Sequence, residues 1–160
     1  MPSASVLHDV IVVLVHIGLV GIGVWLLVID ARTHRLPNRI VLPTLAAVLA
    51  LAGIDAMVTG RSGSLIGGVI GMLVLGGLYA VLRATSRGGI GGGDVKLAAV
   101  IGLVLGWHGW QALAVGAASA FVLGALYALA LMAFRRADRS TRIAFGPWMI
   151  IGAVLGVAAG

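Results

Sequence analysis

Hydrolysing an amide by acid and base requires two ionisable groups at one point, and this chain offers few to choose from. Its 160 residues contain no glutamate and five aspartates: Asp9, Asp30, Asp55, Asp94 and Asp138. Two of them border apolar runs. Asp30 ends VIVVLVHIGLVGIGVWLLVI, and Asp94 follows GGIGGG and opens DVKLAAV. Two carboxyl groups a few ångströms apart do not both ionise easily; they share a proton and titrate in separate steps. One can then act as base on a water while its protonated partner polarises a carbonyl. A helix N-terminus favours the anion at Asp94, the base, and a helix C-terminus favours the acid at Asp30. Each aspartate also has a structural reading. Asp94 suits an N-cap, and Asp30 suits a solvated boundary residue paired with Arg32 or Arg35.

The glycines ahead of Asp94, among them Gly91, Gly92 and Gly93, fit the same chemistry. A peptide to be cut must lie extended beside the carboxyls, and a loop without β-carbons admits that close backbone approach. A plain flexible hinge is the competing reading. Nucleotide binding is not favoured, because GGIGGGDVK lacks the Gly-Lys-Ser/Thr ending of a phosphate loop and no strand precedes it. His16 and His34 show no metal-ligand spacing, and the absence of cysteine excludes disulfides and thiolate metal sites. His16 reads as a satisfied core histidine.

The elements that must position these groups are apolar helices. The chain is 61% hydrophobic and 10% charged, with 25 glycines and a mean hydropathy of +1.14. That composition fits a multipass membrane protein whose helices approach closely through small residues. Spanning takes about 20 apolar residues. Six segments are expected: Val10–Ile29, Ile40–Val58, Leu65–Leu82, Val95–Trp107, Gln111–Phe134 and Ile143–Ala159. The fourth is the shortest. All 160 residues form one all-α domain. Gly67–Gly71 and Gly152–Gly156–Gly160 have the spacing of helix contacts, and Trp107 and Trp110 read as an interfacial belt on the outer side.

Of the eleven basic residues, ten fall in three loops on one side of a six-helix weave, and only Arg61 falls on the other. The positive-inside rule makes the Arg-rich side cytoplasmic, so both termini face outward. The net charge of +6 is thus a topology signal rather than a nucleic-acid patch. Asp30 and Asp94 come to the cytoplasmic side together. Central membrane aspartates are unfavourable by about 2.5–3.5 kcal/mol and mark function by default; near an interface that cost is smaller.

Three stretches in order resemble the type IV prepilin peptidase family, the bacterial branch of the GxGD intramembrane aspartyl proteases. GGGDVKLAAVIGLVLG resembles its signature, DARTHRLPNRIVLP its first aspartate segment with Pro37 and Asn38, and IAFGPWMIIG its last helix opening with Phe145, Gly146 and Pro147. The resemblance covers about residues 15–158. It implies a six-helix protease of the bacterial cell membrane with catalytic Asp30 and Asp94. The implied substrates are prepilins or pseudopilins, cut at the cytoplasmic face between a basic leader and an apolar helix.

Many members carry an N-terminal region with paired cysteines, associated with methylating the new N-terminus. With about nine residues before its first helix and no cysteine, this chain is expected to act as a peptidase alone, without S-adenosylmethionine, zinc or another cofactor. Lys96 either tunes Asp94 or serves as a topology charge; two residues apart on a helix, they do not face each other. Asn38 either orients a substrate carbonyl or holds the Pro-Asn turn, and Pro147 starts the last helix at its first position. The rival readings are a small proton- or cation-coupled transporter using Asp30, Asp94 and Asp55, and a non-catalytic assembly factor.

Overall fold

The computed structural model describes residues 4–33, 37–86, 90–134 and 145–160, excluding the side chains at positions 4, 27, 30–33 and 38. Those residues form six helices: α1 (Ala4–Thr33), α2 (Asn38–Thr59), α3 (Ser62–Thr85), α4 (Gly92–His108), α5 (Trp110–Ala133) and α6 (Gly146–Ala159). No strand occurs among them. Four helices (α1, α2, α3 and α5) are long and apolar enough to cross a membrane; α4 with 17 residues and α6 with 14 are shorter.

The element expected to be least secure is the centre of the molecule. Helix α4 packs on α2, α3, α5 and α6, and every residue from Val100 to Trp107 is buried. A helix that is apolar all round belongs inside a bundle rather than at its surface. That explains its length of about 25 Å: surrounded by protein, it need not match the bilayer. Trp107 is correspondingly only 7% exposed and packs edge-on to His8 and His108, so it is a core residue. Trp110, 62% exposed, alone keeps the surface position expected of the pair.

What seats α4 is backbone contact. A Cβ on Gly67 would stand 2.7 Å from the Gly106 carbonyl oxygen, and Gly71 and Gly102 meet through each other's carbonyls more closely still. The second tight pair is α5 with α6. A Cβ on Gly152 would lie 2.6 Å from the Gly116 oxygen, and one on Gly156 would lie 2.5 Å from the Ala112 oxygen. Gln111 completes this pair, its Nε2 donating to the Ala159 carbonyl at 2.8 Å and so satisfying an orphan acceptor at the end of α6. Both pairs are antiparallel, so the C-terminal end of α3 meets the N-terminal end of α4.

Helix α1 is held differently. It begins at Ala4 rather than Val10, because His8 has a partner deep in the bundle: its Nδ1 lies 2.7 Å from Oδ1 of Asp55, which is 1% exposed. Arg61 Nη1 donates to His8 Nε2 at 3.2 Å. A guanidinium only donates, so Nε2 must accept, and the proton on Nδ1 goes to Asp55. This clasp ties α1 and α2 to the start of α3. The Asp55 Oδ2 atom has no hydrogen-bond partner among the described residues. Nearby, His16 and His108 donate from Nδ1 to the carbonyls of Val12 (2.6 Å) and Val104 (2.9 Å), and their rings meet edge to face at 5.0 Å.

Two outcomes follow for thermal unfolding in detergent. Gly71→Val or Gly102→Leu should lower stability by at least about 1–3 kcal/mol, the usual cost of overpacking. Gly18→Ala and Gly21→Ala, where an added Cβ meets nothing within 4 Å, should lower none. At the clasp, His8→Ala should cost about 3–5 kcal/mol by leaving a buried carboxylate unpaired. Asp55→Asn should cost less, because its amide oxygen still accepts from His8 with no charge to bury. A Gly71→Val protein as stable as Gly21→Ala, or Asp55→Asn less stable than His8→Ala, would contradict this account.

Candidate active site

At the end of the bundle opposite the clasp, Asp94 is the third residue of α4, one turn in from the N-cap Gly91. It is therefore not itself the cap. Its Oδ2 reaches back to accept from the Gly91 N–H at 3.0 Å, the return half of a capping box. Gly91 has no side chain to complete the other half. A Cβ there would lie 3.3 Å from Oδ2, so glycine leaves the carboxylate room on that side. Asp94 is half-buried, as are Gly92, Gly93 and Lys96. Lys96 sits two positions further along α4, on a different face.

Helix α1 runs on through Thr33, so Asp30 stands within its last turn; its side chain is outside the described residues. The backbone still fixes its register. Leu26, one turn earlier on the same face, lines an apolar cavity of about 190 Å³ between α1, α2, α4 and α6. Leu97, one turn after Asp94, lines the same cavity. Positions 30 and 94 thus lie one turn beyond two residues that share a cavity wall, on helices that have no close backbone approach among the described residues. The cavity continues past Gly23, Leu19 and Val104 to His16, with Val41 and Thr44 of α2 and Ile150 and Val157 of α6 on its sides. The exposed Val20 and Val154 form its rim. Among the described residues its polar side chains are His16 and Thr44, and the Thr44 hydroxyl is engaged, donating to the Ile40 carbonyl at 2.8 Å.

The other expected residues gather at this end. Pro37, with extended backbone, is the N-cap of α2, whose first helical residue is Asn38; the Asn38 side chain is outside the described residues, as are His34 and Arg35. Gly146 is the first residue of α6 and is buried, and Pro147 is the second, one place later than expected. Phe145 ahead of them packs on Tyr79 and Phe121, with ring centroids 6.0 and 5.7 Å away. Gly124 makes the space, since a Cβ there would lie 2.5 Å from the Phe145 ring. Among the described residues no three His, Asp, Glu or Cys side chains form a metal-binding group.

Sequence reasoning missed two residues of α3. Tyr79, 2% exposed, lies within electrostatic range of Asp94. Arg83, counted only as a topology charge, has its guanidinium against Gly92, where it occupies the space of a Cβ. A signal was present. Gly102 and Gly106 repeat the spacing of Gly67 and Gly71, and pairing the two sets antiparallel puts Tyr79, eight residues past Gly71, opposite Asp94, eight before Gly102. The His8–Asp55 clasp was also missed. It left no motif, since its members are 47 residues apart.

The type IV leader peptidase family matches residues 17–129. Proteins named prepilin leader peptidase/N-methyltransferase are similar. That of Bacillus subtilis is 37% identical over 131 residues, 80% of this chain and 48% of the relative. That of Dickeya chrysanthemi is 36% identical over 138 residues, 86% and 47%, and that of Pectobacterium carotovorum 35% over 133, 82% and 46%. The chain thus spans about half the length of these curated relatives. No solved structure matches it. A family match running from the middle of α1 into α5, across Asp30, the glycine turn and Asp94, means that this chain belongs to the type IV leader peptidase family.

Proposed function

We propose that this protein is a membrane-embedded aspartyl endopeptidase that removes the leader peptides of prepilins or pilin-like proteins, with Asp30 and Asp94 as its catalytic pair. One observation carries the proposal: an apolar cavity runs through the bundle, and both aspartate positions stand one turn beyond its end. A substrate made of a polar leader joined to an apolar helix has the same change of polarity at one point. Its apolar part suits the cavity between α1, α4 and α6, and its scissile bond then falls at the carboxyls.

The chemistry follows from the two helix ends. Asp94 lies in the first turn of α4, where the macrodipole and the Gly91 N–H favour the anion; it takes a proton from a water. Asp30, in the last turn of α1, where the dipole favours the acid, gives its proton to the carbonyl oxygen as hydroxide adds to the carbon. The tetrahedral intermediate collapses when the amine nitrogen takes the proton held by Asp94. The C–N bond breaks, the intermediate's hydroxyl proton returns to Asp30, and the resting pair is restored. An extended backbone at this point needs a neighbour without side chains, which Gly91, Gly92 and Gly93 provide. Asn38, on the turn after α1, and the Gly146–Pro147 opening of α6 frame the same space.

All six helices span or enter the bilayer in this reading, α4 and α6 shielded by the longer four. The basic loops put the catalytic end at the cytoplasmic face, so both termini lie outside. The proposal concerns the peptidase half of the relatives' name; no residue here is assigned to methyl transfer. The proton-transport reading lacks a polar path along the cavity, whose described lining from Leu26 to His16 is almost wholly hydrocarbon.

The test is processing of a co-expressed pilin-like substrate, followed by the mobility shift on leader removal. Asp30→Asn and Asp94→Asn should each slow cleavage by about 10²- to 10⁴-fold, the scale of one acid or base, while the protein still inserts and keeps its thermal midpoint. Asp55→Asn, at the far end, should process normally. Normal cleavage by either dyad variant refutes the reading.

A further inference from the structure

Beyond the dyad itself, the geometry points to Arg83 as a positioning residue that holds the turn carrying Asp94. This rests on the reading of Asp94 as catalytic and adds to it a group on another helix. Gly92 is the first residue of α4, two before Asp94, and the Arg83 guanidinium fills the volume where any other residue would carry its β-carbon. Gly91, on the other side of Gly92, is bonded through its N–H to the Asp94 carboxylate. The guanidinium and the carboxylate therefore act on one short segment from two sides.

The α3–α4 register explains why Arg83 reaches this place. The glycine contacts set Tyr79 opposite Asp94, and Arg83, one turn further along α3, falls opposite position 90, from where its long side chain reaches Gly92. Arg83 is also the basic residue of the last turn of α3, where the helix dipole favours a cation. Its stem is thus fixed by a helix that cannot slide, because Gly71 and Gly102 are in backbone contact. A planar, permanently charged group on such a stem suits a carboxylate-bearing turn better than a flexible ammonium does.

Among the described residues, the charged and titratable groups at this end are Tyr79 and Arg83 from α3, Asp94 and Lys96 from α4, Arg39 at the start of α2, Tyr127 of α5 against Trp148 of α6, and the end of α1 bearing Asp30. Phe121 and Phe145, from α5 and the start of α6, carry no charge. Arg83 makes a direct contact on the glycine turn. Its removal frees the turn and withdraws positive charge from beside the base. Its displacement does the same, and one methyl group on Gly92 displaces it.

The experiment uses the full chain purified in detergent and a synthetic substrate with a basic leader and an apolar helix. Rates are measured against pH for wild type, Arg83→Gln, Arg83→Lys, Gly92→Ala and the Arg83→Gln/Gly92→Ala double variant, with Asp94→Asn alongside. Arg83→Gln should lower kcat about 10- to 100-fold, the cost of a small misplacement, with KM changed less than about threefold. The acid limb of its kcat profile should move up by about one pH unit, because a carboxylate that loses a nearby cation ionises less readily. Arg83→Lys should fall between it and wild type.

Gly92→Ala should reproduce Arg83→Gln, and the double variant should be no worse than the poorer single, since both remove the same contact. Arg83 is exposed and Gly92→Ala need only move a side-chain end, so folded protein is expected throughout; Arg83→Lys keeps the test open should Arg83→Gln not fold. An unchanged kcat for Arg83→Gln, a loss confined to KM, or losses that multiply in the double variant would each overturn the assignment. Normal cleavage by Asp94→Asn is a separate result that overturns the dyad instead.

Discussion

Two helices in lipid gain little by burying apolar side chains against each other, because acyl chains solvate leucine as well as leucine does. Association must come from close packing, which in this molecule is concentrated where side chains are missing. Gly67 and Gly71 of α3 meet Gly106 and Gly102 of α4 at backbone distance. The rest of the site depends on this contact. It admits one register, because a shift by a residue would put Met72 or Leu103 where a carbonyl now lies. That register carries Tyr79 to Asp94, about two turns from the Gly71–Gly102 pair, and brings the Arg83 side chain to Gly92, about three turns from it. Geometry at the end bearing Asp94 is thus set by residues without functional groups.

Polar groups are sorted to the two ends of the bundle, and the two ends treat a carboxylate differently. Asp55 is almost wholly enclosed and is bonded through Oδ1 to His8, which Arg61 holds in the tautomer that donates. It belongs to a structural joint. Asp94 is half-buried, bonded to one backbone N–H from its own first turn. In the role proposed for Asp94, a half-buried carboxylate that accepts a backbone N–H is stabilised as the anion at the mouth of the bundle rather than sealed inside it. The contrast separates two aspartates that look alike in the sequence, each near the end of an apolar run.

Helix number, the order of segments and the glycine spacing were legible because lipid imposes them: apolar length and small residues are the only means available. Ends were less legible. Helix α1 starts six residues early because His8 and Asp9 close the apolar count while His8 is held from 47 residues away. Helix α4 looked short for a span because span length assumes lipid contact, and α4 has protein on its sides. Trp107 looked like a belt residue for the same reason; an aromatic near the end of an apolar run reads as interfacial only if its helix is peripheral. Arg83 was hidden by its own usefulness as a topology charge. What the sequence lacked in each case was which helix faces which, and the second glycine pair in α4 held that information.

The proposed dyad is supported unequally. Helix α4 is fixed along its length by α3 and wrapped by three other helices, whereas α1, among the described residues, packs closely on α2 and α6 and meets α4 through side chains: His16 to His108 and His8 to Trp107 at the far end, and Leu26 in a core cluster with Leu97. Between the ring contacts and Asp30 lies the cavity. One carboxyl therefore stands on a rigid post and the other on a helix whose ring contacts with α4 lie 14 and 22 residues away. This division suits the proposed substrate, which would enter from the bilayer with its backbone intact. If both carriers were clamped together by glycines, there would be no gap for a peptide to occupy; if both were loose, the carboxyls would not keep to a common water. Holding one and leaving a side-chain-lined gap before the other meets both demands, and the apolar lining keeps that gap suited to hydrocarbon until the polar junction of a substrate reaches its end.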